Sequence, residues 1–236
     1  PLIGELARAL GPLGAFEIVY VDDGSRDGTE DALRLAVSAM SVLTVLRHRA
    51  SCGQSAALTT GIRAARADWI VTLDGDGQND PADIATLVAA RDAVLEAEPA
   101  NPSVMICGRR AKRHDTALRR VTSRVANGIR AWALGDRTPD TGCSLKLFRR
   151  EDFLAMPNFD HMHRFLPALM LRQGGRIQSV DVGHRPRLSG RSNYGLFDRL
   201  WVGIADLVGV MWLMRRVRRP VIVQVAGPVS RETERS

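Results

Sequence analysis

Leu73-Asp74-Gly75-Asp76-Gly77-Gln78-Asn79-Asp80-Pro81 closes an apolar run that starts at Trp69, so a stretch with strand character ends in alternating carboxylates. Asp74 and Asp76 are two residues apart. If the backbone stays extended there, both side chains point the same way. Two carboxylates side by side repel unless a cation lies between them or one takes a proton. Hard oxygen ligands on an open edge suit Mg2+ or Mn2+ shared with a phosphate ligand. An isolated Asp-x-Asp is more often a solvated turn. Here a second apolar run, Phe16 to Val21, also ends in acid, as Val21-Asp22-Asp23-Gly24-Ser25-Arg26-Asp27-Gly28-Thr29. Two acidic strand ends favour the ligand-binding reading.

The segments around these motifs alternate in type. Asp27 to Met40 has helical spacing, with Asp27 as N-cap and Glu30 three residues on, as in a capping box. Val42 to Leu46 reads as a strand and Ser55 to Arg66 as an Ala-rich helix. Pro81 suits the first turn of a helix running to about Glu96, and Val104 to Cys107 is a fourth strand. This order predicts an α/β fold, a single doubly wound, mostly parallel sheet with ligands beyond the carboxyl ends of its strands. After Gly108 the pattern changes. Thr116 to Leu134 looks like one long basic helix, followed by a loop with Gly135, Pro139 and Gly142. Helical spacing returns near His163 to Gln173, and Arg176 to Val182 alternates like a strand.

The chain has 236 residues, 45% hydrophobic and 25% charged, enough for a sizeable core and far from the composition of a disordered chain. Residues 1–107 carry 8 Lys and Arg against 15 Asp and Glu, and residues 108–236 carry 25 against 11. Carboxylates suit a cation; arginines suit phosphate, nucleic acid or an anionic membrane surface. Cys52, Cys107 and Cys143 have no metal-ribbon spacing, which argues against a disulfide scaffold and fits a reducing compartment. No signal peptide opens the chain. The five histidines show no metal-ligand spacing.

Other chemistries use acidic turns. An EF-hand loop starting at Asp74 would need Gly and Glu where Asn79 and Ala85 stand. A phosphatase of the haloacid dehalogenase kind would use Asp74 as nucleophile and Asp76 as acid, but Gln78 departs from its pattern. A Gly-x-Gly-x-x-Gly dinucleotide loop is absent.

Taken together, VDDGSRDGT, the Ala-rich helix between Gly53 and Gly61, and LDGDGQNDP resemble glycosyltransferase family 2, and within it the polyprenyl-phosphate glycosyltransferases of the dolichol-phosphate mannose synthase group. GRRAKRHDTALRRVTSRVAN, DTGCSLKLFRR, HRFLPAL and HRPRLSGRSNYG resemble that group's later segments in the same order. The resemblance covers about residues 15–200. It implies a GT-A fold and an inverting, metal-dependent transfer of a sugar from a UDP- or GDP-linked donor to a polyprenyl phosphate. Asp23 matches the acid at the nucleotide base, with Asp22 in support. Asp74, Asp76 and Gln78 match the set at the Mg2+ or Mn2+ ion and the donor diphosphate. Arg110, Arg119 and Ser123 match positions that hold the acceptor phosphate, and Arg187 matches another phosphate-facing arginine. Asp76, Arg110 and Arg119 would carry the catalysis. Two departures stand out: this chain starts after the family's usual first strand, and Ser192-Asn193-Tyr194 stands where Ser-Lys-Tyr is common.

The implied chemistry needs little acid–base help. A divalent ion offsets charge that develops on the leaving diphosphate. The nucleophile is a phosphate oxygen, already ionised at neutral pH. Arginines position it with planar, permanently charged forks. Asp140 reads as an arginine-orienting or loop residue rather than a base, and Cys143 as a packed residue. Arg113, Arg120, Arg124 and Arg130 read as a solvated helix face. For Trp201 and Trp212 a core place, on a buried packing helix with a basic last turn, is the alternative to the membrane surface favoured below.

The expected organisation is a GT-A domain over 1–195, with a nucleotide-sugar half (1–107) and an acceptor half (108–195). An interfacial helix (196–219) and a tail (220–236) follow. Leu200 to Met214 contains Asp206 and is short for a spanning segment, but two tryptophans and the arginines within 215–219 suit a membrane surface. The expected location is cytoplasmic and peripheral on the membrane's cytoplasmic face; a homo-oligomer is open. A saccharide or other hydroxyl acceptor is the alternative, and would need a base. A nucleic-acid partner is disfavoured, because no such motif occurs and aromatics are only 5% of residues.

Overall fold

The computed structural model describes residues 1–110, 128, 130–136, 138–186 and 196–217, with side chains of the last stretch described from residue 203. Its elements are α1 (Leu2–Leu10), β1 (Ile18–Asp22), α2 (Thr29–Ala39), β2 (Leu43–Arg47), α3 (Gln54–Ala64), β3 (Trp69–Thr72), α4 (Ile84–Ala97) and β4 (Val104–Arg110). Then follow β5 (Lys146–Arg149), α5 (Arg150–Leu154), α6 (Leu166–Arg172), β6 (Arg176–Val182) and α7 (Leu196–Arg215).

The expected mostly parallel α/β arrangement is present, in two hydrogen-bonded parts. β1 pairs with β2 in parallel. The other part has the order β3-β5-β4-β6. There β4 and β6 are parallel, while β5 runs antiparallel to both β3 and β4. Strand β5 escaped the sequence reading because Lys146 interrupts its apolar pattern. The structure buries that lysine to 3% exposure and gives its Nζ the carbonyls of Thr141 and Cys143.

β4 shows why this sheet is covered on both sides. Met105 and Cys107 join one apolar cluster with Ile62, Phe148, Phe153, Leu169 and Val210. Val104 and Ile106 join the other with Leu6, Ile84, Leu87, Leu145 and Leu147. Alternate residues of one strand thus feed two cores, as a central strand buried on both faces requires. Helix α1, also missed from sequence, seals the second core through Leu6.

Between β1 and β3 the sheet is interrupted. Among the described residues the two strands form no ladder, and a cavity of about 440 Å³ separates them. It is lined by Val19, Val21, Leu58, Ile62 and Val71, with Asp23 and Asp74 also on its wall.

Local corrections have local causes. α2 begins at Thr29, two residues later than read, because Asp27 spends its carboxylate on the Thr29 N–H and hydroxyl. Glu30 closes no capping box; it pairs with Arg34 and Arg47. Arg130 is buried against Asp136 rather than solvated. Trp212 is 57% exposed rather than in the core. Trp201, Arg113, Arg120, Arg124, most of the stretch Thr116 to Leu134 and the tail from 218 lie outside the described residues or side chains.

Candidate nucleotide-sugar and metal site

The acidic turn leaves the end of β3. Gly77 takes φ 75°, a left-handed conformation that a β-carbon would strain, and so lets the chain double back between Asp76 and Gln78. Asp76 accepts the Gln78 N–H at 3.1 Å. Asp74 accepts from Gln54 Nε2 at 2.8 Å. Burial raises the pKa of Asp74, and the Asp76 charge adds to that rise, while Ser144, Lys146 and Arg110 oppose it. The two carboxylates are therefore close enough to repel. That repulsion, on hard oxygen donors at a strand end, is the chemistry a divalent ion relieves, so Asp74 and Asp76 fit Mg2+ or Mn2+.

The other acidic strand end is organised differently. Asp22 is buried, accepts the Ser25 N–H at 2.9 Å, and pairs with Arg47 at 3.2 Å. Asp23 ties down the loop ahead of α3. It accepts from His48 Nδ1 at 2.6 Å, Ser51 Oγ at 2.7 Å, and the N–H groups of Cys52 and Gly53 at 2.8 Å. Burial pushes the Asp23 pKa up, but those four donors outweigh it and hold it at about 2. Four donors fill a carboxylate's four acceptor positions. Gly24 at φ 76° lies so close to the Ala50–Ser51 peptide that an added β-carbon would sit 2.8 Å from it. Asp23, His48 and Cys52 bring three possible ligand atoms within 4.8 Å, a cluster the histidine spacing did not reveal. Their hydrogen bonds to one another and to the loop, with Thr60 on His48 Nε2 at 2.9 Å, make it a loop anchor.

The acceptor-side residues meet the same turn. Arg110, at the end of β4, makes a two-pronged pair with Asp140, both contacts at 2.7 Å. Asp140 is thus an arginine-orienting residue, as read from sequence. Cys143 is 1% exposed and burial raises its pKa, as befits a packed residue. The beginning of the closing motif docks onto the acidic turn. The Arg185 N–H donates to the Gln78 carbonyl at 2.9 Å, and its guanidinium pairs with Asp80 at 2.8 Å and Glu5 at 2.6 Å. Gln78 Nε2 lies 3.4 Å from His184 Nε2. Arg185 was not singled out from sequence, where its partners, 105 and 180 positions away, are invisible. Arg119, Ser123, Arg187 and Ser192-Asn193-Tyr194 lie outside the described residues.

The α/β sheet thus carries an acidic turn after β3 and, two strands across, a carboxylate-anchored guanidinium at the end of β4. Residues 3–155 match the family described as Glycosyl transferase family 2, and the chain belongs to that family. It is 34% identical over 224 residues to a dodecaprenyl-phosphate galacturonate synthase of Rhizobium johnstonii, covering 93% of this chain and 64% of that protein. It is 36% identical over 200 residues to an undecaprenyl-phosphate 4-deoxy-4-formamido-L-arabinose transferase of Pseudomonas aeruginosa, covering 84% and 56%. The chain thus spans between half and two thirds of these relatives' length. Among solved structures, mannosyl-3-phosphoglycerate synthase from Rubrobacter xylanophilus superposes with TM-score 0.62 at 19% identity, covering 99% of this chain and 74% of that one. Glucosyl-3-phosphoglycerate synthase from Mycobacterium tuberculosis, in complex with Mn2+, UDP-glucose and phosphoglyceric acid, does so with TM-score 0.59 at 19% identity, covering 92% and 76%. Both likenesses establish the shared fold.

Proposed function

We propose that the protein transfers a sugar from a UDP- or GDP-linked donor to a polyprenyl phosphate, using Mg2+ or Mn2+. The observation that carries this reading is the acidic turn's hydrogen bond through Ser144 to the loop whose Asp140 holds Arg110. Asp74 and Asp76, with Gln78 beside them, would hold the ion and the donor diphosphate, and the ion would offset charge on the leaving group. Arg110 would face the acceptor phosphate. Ser144, on the same loop as Asp140, accepts the Asp74 N–H, so one loop serves both proposed subsites. Asp22 and Asp23 would shape the nucleotide pocket through the loops they anchor. Arg119, Ser123 and Arg187 complete the proposed phosphate cradle by resemblance. Relatives named for dodecaprenyl and undecaprenyl phosphate support the lipid acceptor. A hydroxyl acceptor would need a base, and Asp140, the carboxylate best placed beside Arg110, is committed to that arginine.

The same reading places the protein at the cytoplasmic face of a membrane. Among the described residues no helix is long and apolar enough to cross one. The exposed face of α7 is nevertheless apolar: Ile204, Ala205, Val208, Gly209 and Trp212 lie along it, and Arg215 and Arg216 end it. Arg216 stacks 5.4 Å from the Trp212 ring. Asp206 is turned inward, 3.1 Å from His161. A helix that shows water an apolar stripe, and a bilayer its arginines, suits an anionic lipid surface.

The test is incubation with labelled UDP- and GDP-sugars and undecaprenyl phosphate, followed by extraction into organic solvent. Mn2+-dependent label in the organic phase supports the reading. Label released to water at the same rate with or without the lipid refutes it.

A further inference from the structure

Ser144 stands on the loop between Asp140 and β5, yet its hydrogen bonds go to the acidic turn. Its Oγ accepts the Asp74 N–H at 3.1 Å and donates to Asn79 Oδ1 at 2.8 Å. Its carbonyl accepts from Thr72 Oγ1 at 2.7 Å. Asn79 is buried to 4% exposure, and its amide approaches the Cys143 sulfur at 3.9 Å. One hydroxyl therefore pins both ends of the six-residue segment that carries Asp74, Asp76 and Gln78. The loop that supplies it is held in turn. Cys143 N–H donates to the Asp140 carbonyl at 3.3 Å, Lys146 caps the Thr141 and Cys143 carbonyls, and Asp140 grips Arg110.

We infer that Ser144 and Asn79 are positioning residues. They clasp the ion-holding turn to the loop that orients the acceptor-side arginine. The inference rests on the proposed function and deepens it. In an in-line transfer the leaving diphosphate and the attacking phosphate must be held at a fixed separation, and misplacement by an ångström costs heavily in rate. Ser144 lies between the two holders and bonds one of them directly. It acts through Asp74 and the turn.

The test uses Ser144→Ala, Ser144→Thr and Asn79→Ala. Bound Mn2+ is counted from the paramagnetic resonance of the free ion, in the presence of whichever of UDP and GDP the wild type binds. Loss of the hydroxyl weakens apparent Mn2+ affinity by about tenfold, the worth of one buried hydrogen bond. Ser144→Thr, which keeps the hydroxyl, restores it. Excess Mn2+ recovers most of the turnover of Ser144→Ala. Asn79→Ala, which frees the far end of the turn, weakens Mn2+ binding in the same direction. A lower thermal midpoint with unchanged Mn2+ affinity in both alanine variants overturns the inference and leaves only a structural contact. A wild type that binds neither Mn2+ nor nucleotide defeats the functional reading itself, and the inference with it.

Discussion

At the scale of residues, the site is a set of carboxylates and cations whose roles are set by their partners. Asp140 shows this most simply: it exists to aim Arg110. Asp140→Asn removes the charge that holds the fork, and is expected to raise the KM for the lipid phosphate by about tenfold, the loss of one charge-assisted bond. Nucleotide affinity measured by calorimetry stays unchanged. An equal loss of both would mean that Arg110 serves the donor. His163 offers a different test. Burial first, then the charges of Arg164, His161 and Lys146, push its pKa down to about 4. It stays neutral against Ser55, whose hydroxyl lies 2.8 Å from Nδ1. Above pH 6.5 both folded and unfolded states are neutral there, and its contribution to stability is complete. As pH falls from 6.5 toward 4 only the unfolded chain takes the proton, and about 3 kcal/mol is lost. Denaturant titrations of wild type and His163→Gln across that range check this; parallel pH profiles would contradict it.

The residue scale also shows what could be read in advance. Asp74 and Asp76 stood out as candidates because they crowd one strand end, and Gln78 joined them only through the family resemblance. For Asp140 the sequence left two roles, loop residue or arginine orientation, and its paired contacts with Arg110 decide for the second. The Asp23 anchor, Arg185 and Ser144 were not legible. Each depends on partners at least 25 residues away, and spacing along a chain carries no record of such meetings.

At the scale of elements, α7 is the informative one. Its apolar content was plain from sequence, but not which face met the protein. Val210 is buried with Leu207, Met211 and Met214 against the core, which leaves Ile204, Val208 and Trp212 outward. Trp212→Ala removes an exposed ring and is expected to leave the thermal midpoint unchanged. Retention on anionic vesicles should fall by about tenfold, given the worth of one buried aromatic side chain. Replacing both Arg215 and Arg216 by Gln should cost about thirtyfold, since each basic group near such a surface is worth about 1 kcal/mol. Retention that ignores all three changes would assign the stripe to another occupant, a second copy or a further segment of chain. Strand β5 teaches the opposite lesson about legibility. A buried lysine masked it, and the carbonyls of its own preceding loop help make that burial tolerable.

At the scale of the whole molecule, the sheet is strongest where strands are paired on both sides and weakest at the break between β1 and β3. Backbone amides of β4, flanked by β5 and β6, should be the slowest to exchange with solvent, and those of β1 and β3 that face the cavity should exchange orders of magnitude faster. Hydrogen-exchange mass spectrometry checks it; uniform protection across all three strands would mean that the break closes in solution. The alternation of strands and helices made the α/β class legible. The insertion of β5 between β3 and β4 was not, because antiparallel return strands leave no mark on the βαβ rhythm. The break sits beside both acidic strand ends, so the architecture and the chemistry converge on one edge. The account stands on the claim that this edge binds a divalent ion and, through it, a nucleotide sugar. Calorimetric titration of UDP- and GDP-sugars into wild type and Asp76→Ala, with and without Mn2+, tests it most directly. Binding of one nucleotide that requires Mn2+ and vanishes in Asp76→Ala, with the variant's thermal midpoint retained, is the expected result. Nucleotide binding that is indifferent to both Mn2+ and Asp76 would contradict it.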